Sequence, residues 1–468
     1  MTIYSTAGER VGVFRTNGAP VWAGGGTGGG SVTPPSGPDR NVAGRCAVAS
    51  IGKAPGGQLG AFASTSHPLR ADAATLTLEW DAMPGFVTAE QSGTIRATVQ
   101  AGDGPVRPVT FGGTTTARLV PPGPAGYTIT SDPVPVNAHA GTPLHVLAWV
   151  DADGTGPLIA DTTSILPADR GWGLGAWTAT PHLAPANASG EMVGGPWSLR
   201  PSRIIGPSDR LAWVFSGDSI VQQSWSWGER ALDALGYAAV KSGRGGDAYA
   251  LGGGYARALP SLPYATGFID EMGINDGMRA WDVTAPSMLQ LWRKVRAAGV
   301  EHVIKSTITL SVGSSDDWAT LDGQAVNSIT EAGRVAVNQW LRDGAPLTPD
   351  GTAPAPAGTA GGVRCTVVHP DGTVTVRDEG HPLTAVTDVV AAIESSPDSG
   401  KYALGAPATA MRGWADGLHP SPGIHAILGD RLARDLALLG FLSRSRIADG
   451  TTRRPHGLRI VGAFLSTH

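Results

Sequence analysis

Residues 211–220 read Leu-Ala-Trp-Val-Phe-Ser-Gly-Asp-Ser-Ile. An apolar run of this length followed by Gly-Asp-Ser is the signature of a buried strand that ends in a tight turn. Directly after it, 228–237 (GERALDALGY) has helical spacing of its apolar residues. A serine on a strand-to-helix turn presents its hydroxyl at the carboxyl end of a sheet, where open α/β sheets bind their ligands. The grammar from about 207 onward repeats this unit. FIDEMGIND (268–276) is a second apolar run ending in a turn, and 287–300 (SMLQLWRKVRAAGV) is a helix that stops at Gly299. HVIKSTITL (302–310) is a strand, ITEAGRVAVNQWLRDG (329–344) a helix, and HAILGDRLARDLALLG (425–440) an amphipathic helix. Strand–helix alternation predicts βαβ units, with a parallel sheet covered by helices on both faces.

Upstream the pattern differs. TLTLEW (75–80), GTIRATVQ (93–100), PVTFGG (108–113), TTARLV (115–120), YTITSDPVPV (127–136) and LHVLAWVD (144–151) alternate or carry β-branched runs between Gly, Pro and Asp turns. Short strands at this spacing predict an all-β sandwich or jelly roll. The division that follows is a Gly/Pro-rich arm and linker over 1–39, a β-sandwich domain over 40–206, and an α/β domain over 207–442. A C-terminal extension covers 443–468. Within the arm, 24–38 (GGGTGGGSVTPPSGP) has linker composition. Residues 346–380 are Pro/Gly-rich around a small hairpin and read as an insertion.

Bulk properties narrow the function. The 468 residues carry a net charge of −4, with no Lys/Arg-rich stripe, which argues against a nucleic-acid partner. No stretch approaches the ~18–20 apolar residues of a membrane span. The N-terminus lacks a basic region followed by an apolar one, so no secretory signal is read there. Neither of the two cysteines, Cys46 and Cys365, has metal-ligand spacing, and two buried free thiols are expected over a disulfide. There is no HExxH and no carboxylate/His cluster, so no catalytic metal and no cofactor are expected.

Four segments carry the chemistry. Ser219 lies in the Gly-Asp-Ser turn, and the backbone N–H beside it can face a developing oxyanion. Gly243-Arg244-Gly245-Gly246-Asp247 follows the strand-like YAAVKS, and glycine allows a backbone N–H to approach a ligand closely. Asn275, in Gly-Ile-Asn-Asp, offers a neutral side-chain donor suited to an oxyanion. Asp416 stands three residues before His419, where it can orient the imidazole that takes the proton of Ser219. Asp218 and Asp276 read as turn residues whose side chains cap nearby N–H groups. His425 is expected in the last helix as a packing or surface residue. Trp225 and Trp281 admit two readings: walls of a substrate pocket, or packing of the adjoining helices.

At these residues the chain resembles the GDSL/SGNH hydrolase superfamily of serine esterases, whose blocks GDS, a glycine, GxND and DxxH occur here in that order. The resemblance implies a flavodoxin-like three-layer domain. It implies Ser219 as nucleophile, His419 as general base and Asp416 as its orienting carboxylate. The oxyanion hole would be the N–H groups of Ser219 and Gly246 with the Asn275 side chain. Lys241 stands five residues before Gly246, where the family has Asn, so Gly245 remains a competitor for Gly246. The upstream β region looks like the β-sandwich that precedes the hydrolase domain in a group of actinobacterial SGNH proteins.

The expected activity is hydrolysis of acyl esters through an acyl-enzyme, with an O-acetylated carbohydrate or cell-envelope glycan as substrate. A lipid ester, as for a lipase or lysophospholipase, is the alternative substrate. A different class also stays open: a phage-tail or other virion protein, attached through its N-terminal arm and oligomeric, whose hydrolase fold acts on or binds surface glycans. Virion association and a cytoplasmic place are the two localisations considered, with extracellular action compatible with either.

Overall fold

The computed structural model describes residues 36–441 apart from 49, 54–59, 85–91, 121–122, 124, 153–157, 162–170, 175–199, 252, 278, 377–378 and 415, together with the strands Thr2–Tyr4 and Arg10–Val13. Those two strands pair antiparallel. The rest of the expected N-terminal arm up to residue 35, and the expected C-terminal extension, lie outside the described residues.

The upstream region contains two sheets and, among the described residues, no helix. Pro143–Ala152 is the centre of one, paired antiparallel with Gly60–Pro68 on one side and Gly93–Ala101 on the other. Ala73–Pro84 is the centre of the second, flanked by Arg203–Pro207, Tyr127–Thr130 and Val134–Ala138. Alternation puts Leu76, Leu78 and Trp80 on the core side of that strand, each at most 1% exposed.

The α/β region is organised on one eight-stranded sheet. Its strands are β1 (Cys46–Ala47), β2 (Ala212–Gly217), β3 (Ala238–Gly243), β4 (Gly267–Asp270), β5 (His302–Ser306), β6 (Thr366–Val368), β7 (Val374–Thr375) and β8 (Ala385–Thr387). Across the sheet the order is β7-β6-β8-β5-β4-β2-β3-β1. Every neighbouring pair is parallel except β6 with β7, which form a hairpin inside the segment read as an insertion. All six residues of β2 are buried, as a strand covered on both faces requires. The helices that bear on the site are α1 (Ser219–Gln222), α2 (Trp227–Leu235), α3 (Trp281–Ala297), α4 (Glu331–Arg342) and α5 (Pro422–Leu438).

The strand–helix alternation expected from 207 onward is present, and the sheet is mixed by virtue of its edge hairpin. One element was not expected. β1 comes from the upstream region and extends the parallel sheet beyond β3. Two charge clusters add to this join. Arg45 and Arg70 both reach the Asp233 carboxylate on α2. Arg203 lies between Glu79 and Asp81 at 2.6 Å from each, and also donates to Ser261 Oγ. Arg203 is 1% exposed. Buried charges of this kind are tolerated because each is paired and hydrogen-bonded. Cys46 and Cys365 are free and buried, and burial pushes the Cys46 thiol up to about 12.

Candidate active site

The Gly-Asp-Ser turn is shaped by what cannot fit in it. A Cβ on Gly217 would lie 2.2 Å from Val221 Cγ2 and 2.3 Å from Glu271 Oε2, so only glycine is accommodated. Asp218 is fully buried and its Oδ1 accepts the Ile220 N–H at 3.0 Å, which caps α1. Ser219 is therefore the first residue of α1, half-buried beyond the carboxyl end of β2.

Two segments distant in sequence meet there. Ser219 Oγ is 2.8 Å from His419 Nε2, and His419 Nδ1 is 2.5 Å from Asp416 Oδ2. The other Asp416 oxygen accepts the N–H groups of Leu418 at 2.8 Å and His419 at 3.1 Å. Burial alone would raise the Asp416 carboxyl. The His419 ring and the two backbone N–H groups outweigh it and hold the carboxyl below its ordinary value. An ionised Asp416 fixes the tautomer, with Nδ1–H donating to the carboxylate and Nε2 accepting the serine proton. The side chains of His419 and Asp416 are 28% and 47% exposed, so the relay opens to solvent.

The loop carrying the relay is braced from outside. Trp414 Nε1 donates to the His419 carbonyl at 2.8 Å, and Trp318 Nε1 donates to the Trp414 carbonyl at 3.3 Å. Val312 N–H donates to Gly417 O at 2.9 Å. Val312 and Trp318 lie on or beside a hairpin formed by Val312–Ser314 and Gln324–Val326. Trp414 and Trp318 were not singled out in the sequence, since neither lies in one of the four blocks.

Gly246 has φ +73° and is exposed, and among the described residues its N–H has no protein partner. The Gly245 N–H is committed to Gln222 Oε1 at 2.6 Å. Asn275 Nδ2 donates to Asp247 O at 2.9 Å, which ties its turn to the glycine loop and leaves the second amide hydrogen for a ligand. Lys241 is buried and donates to Gln223 O and Glu229 Oε2, away from the glycine loop.

The remaining sequence candidates lie in packing contacts. Trp225 adopts φ +51° with the guanidinium groups of Arg45 and Arg230 at 5.1 and 5.7 Å from its ring. Trp281 packs edge-on against Trp340, which in turn stacks on Trp292. His425 is buried in α5, with Nδ1 accepting the Trp227 N–H and Nε2 facing Gln223 Oε1. Burial lowers its imidazole to about 3. Asp276 accepts the Tyr249 N–H at 2.8 Å. Among the described residues no His, Cys, Asp or Glu side chains cluster so as to hold a metal ion, and no helix is long and apolar enough to cross a membrane.

A layer of ionisable groups lies beneath the turn. Glu271 Oε2 accepts the Asp218 N–H at 3.3 Å. Lys305, fully buried on β5, donates to Met272 O at 2.7 Å and Asp270 O at 3.2 Å. Tyr249 and Trp292 both donate to Asp270 Oδ2.

A serine hydroxyl, an imidazole and a carboxylate in hydrogen-bonded series, at the carboxyl edge of a parallel sheet, form the arrangement of a serine-nucleophile hydrolase. No protein-family model matches the chain, and no curated protein matches it. It is similar to solved structures of acylhydrolases and carbohydrate esterases. One is a putative acylhydrolase from Bacteroides fragilis, with 15% identity, covering 49% of this chain and 88% of that one at a TM-score of 0.31. A second is an active-site mutant of a family two carbohydrate esterase from Clostridium thermocellum, with 12% identity, 87% and 95% coverage and a TM-score of 0.30. A third is a catalytic mutant of an acetylxylan esterase from Geobacillus stearothermophilus, with 16% identity, 51% and 98% coverage and a TM-score of 0.30.

Proposed function

We propose that the chain is a serine esterase of the SGNH kind that hydrolyses small acyl esters through an acyl-enzyme. The observation that carries this reading is the Ser219–His419–Asp416 relay. Ser219 Oγ attacks the ester carbonyl while His419 Nε2 takes its proton. The tetrahedral intermediate collapses, the C–O bond to the alcohol breaks, and His419 returns the proton to the departing oxygen. Water, deprotonated by the same imidazole, then attacks the acyl carbon and releases the carboxylic acid and free Ser219. The oxyanion is received by the N–H groups of Ser219 and Gly246 and by the Asn275 amide. The commitment of the Gly245 N–H to Gln222 favours Gly246 over Gly245.

Asn275→Ala is expected to lower kcat roughly 10²–10³-fold, the usual cost of losing one oxyanion donor. Steady-state kinetics on p-nitrophenyl acetate measures it, and an unchanged kcat would remove Asn275 from the hole.

The proposed substrate is an O-acetyl ester of a carbohydrate. Its support is the exposure of the His419 and Asp416 side chains, 28% and 47%, two polar groups open to solvent that suit a hydrated polyol better than an alkyl chain. We further propose that the described part of 40–206, apart from Cys46–Ala47, is a β-sandwich domain appended to an α/β domain over 207–442 with a flavodoxin-like three-layer arrangement.

The test of the activity is hydrolysis of p-nitrophenyl esters from acetate to long-chain acyl by the wild type and by Ser219→Ala. Turnover of acetate, abolished in the variant and declining with chain length, is the expected result. Wild-type inactivity on every ester, or full activity of Ser219→Ala, would overturn the esterase reading. Equal turnover of acetyl and long-chain esters would overturn the substrate proposal alone.

A further inference from the structure

We propose that Gln222 is a positioning residue that holds the glycine loop so that the Gly246 N–H faces the oxyanion; this rests on the esterase reading above. Gln222 is the last residue of α1, one turn after Ser219, and its own N–H donates to Asp218 O at 2.9 Å. Its side-chain Oε1 crosses to the loop after β3 and accepts the Gly245 N–H at 2.6 Å. The loop therefore hangs from the same short element that carries the nucleophile.

The need for such an anchor is plain from the sequence of the loop. Gly243, Gly245 and Gly246 fall within four residues, and glycine loses more backbone freedom on ordering than any other residue. Gly246 sits at φ +73° with nothing within 4 Å of where a side chain would be, so no packing of its own fixes it. Two backbone hydrogen bonds also restrain the loop. Asp247 N–H donates to Arg244 O at 3.2 Å, and Arg244 N–H to Gly217 O at 3.3 Å. Both are longer than the Gln222 contact. Lys241, which precedes the loop, points instead at Gln223 O and Glu229.

The anchor also propagates. Asp247 O accepts the Asn275 amide, so Gln222, the glycine loop and Asn275 form one connected series. Consecutive residues of a helical turn point about 100° apart, and the next side chain goes elsewhere. Gln223 Nε2 donates to Pro420 O at 3.4 Å, beside His419, and its Oε1 faces His425 Nε2 at 2.8 Å. Adjacent glutamines thus reach the oxyanion loop and the histidine loop from one helix end.

Two variants test the assignment. Gln222→Met keeps the length of the side chain and loses the acceptor. Gln222→Glu keeps an acceptor oxygen at the same place. Hydrogen exchange over residues 243–248 is expected to accelerate in Gln222→Met and to stay near wild type in Gln222→Glu. On p-nitrophenyl acetate, Gln222→Met is expected to lose about 10–100-fold in kcat with KM within about threefold, as for a displaced rather than deleted donor. Unchanged exchange in Gln222→Met, equal acceleration in both variants, or a wild-type kcat in Gln222→Met with faster exchange would each overturn the proposal. A wild type inactive on all esters would sink the esterase reading instead, and the exchange data would still decide whether Gln222 holds the loop.

Discussion

His419→Ala is expected to reduce kcat on p-nitrophenyl acetate by about 10⁴–10⁶-fold, with KM changed only a few-fold. The size follows from the relay. The serine hydroxyl is a poor nucleophile unless its proton has somewhere to go, and His419 Nε2 at 2.8 Å is the acceptor provided. Binding and the backbone oxyanion donors survive the substitution, which is why residual turnover remains and KM moves little. Folding should also survive, because the ring is partly exposed and its nitrogens bond only to Ser219 and Asp416 among the described residues. Asp416→Asn should cost less than His419→Ala. Its carboxylate is 47% exposed, so water can take up part of its role in stabilising the imidazolium. Unaltered melting with collapsed kcat in His419→Ala is the expected combination. Retained activity would mean that the hydrogen-bonded series is not the catalytic one.

The parts of this site that could be read from sequence are those in which a local pattern determines a local conformation. Gly-Asp-Ser after a buried run must turn sharply, because Gly217 admits no side chain and Asp218 caps the next helix. Asp-Gly-Leu-His places a carboxylate beside an imidazole through its own backbone contacts, the Asp416 oxygen taking the N–H groups of residues 418 and 419. Most alternating runs of the upstream region likewise became strands because alternation is a property of each strand alone, whereas 108–113 (PVTFGG) did not, with only Pro108 in a strand and Phe111 in an isolated bridge. What sequence did not disclose depends on partners brought from afar. β1 is two residues long and has no periodicity, yet it pairs with β3. Gln222 looks like an ordinary polar residue at a helix end until Gly245 arrives beside it. Trp414 and Trp318 gain their role only when the hairpin at 312–326 reaches the histidine loop. Trp225 and Trp281 admitted two readings from sequence, and their ring contacts with Arg45 and Trp340 are likewise made to residues far along the chain.

The deepest such case is the charged layer under the turn at Ser219, where the second large effect arises. Wild-type stability is expected to fall between about pH 4 and pH 7–8 relative to Asp218→Asn, by up to a few kcal/mol. Asp218 is fully buried, and burial, the dominant cause, pushes its carboxyl up to about 7. The Ile220 N–H, Lys305 and His419 act in the opposite direction, and Asp247 adds to the rise. Glu271, buried from the next strand end and facing Asp218, is raised well above the ordinary carboxylate range by burial and by the Asp218 charge. Asp270 is raised by burial as well, and Lys305, the cation of the cluster, is lowered by it. Two buried carboxyls that repel each other, near one buried ammonium whose own hydrogen bonds go to the Asp270 and Met272 carbonyls, retain a proton that the unfolded chain would release near pH 4. The folded state thus binds more protons than the unfolded state between those limits. Its stabilising contribution is complete below the unfolded value and is lost as pH rises through the folded one. Asp218→Asn keeps the oxygen that accepts the Ile220 N–H and removes the titration. Urea unfolding of both proteins at pH 5, 6, 7 and 8 measures the difference, in which titrations common to both cancel. A gap that moves steadily in the variant's favour with rising pH is the signature of the shared proton, and parallel curves would show that the Asp218–Glu271 pair does not hold it.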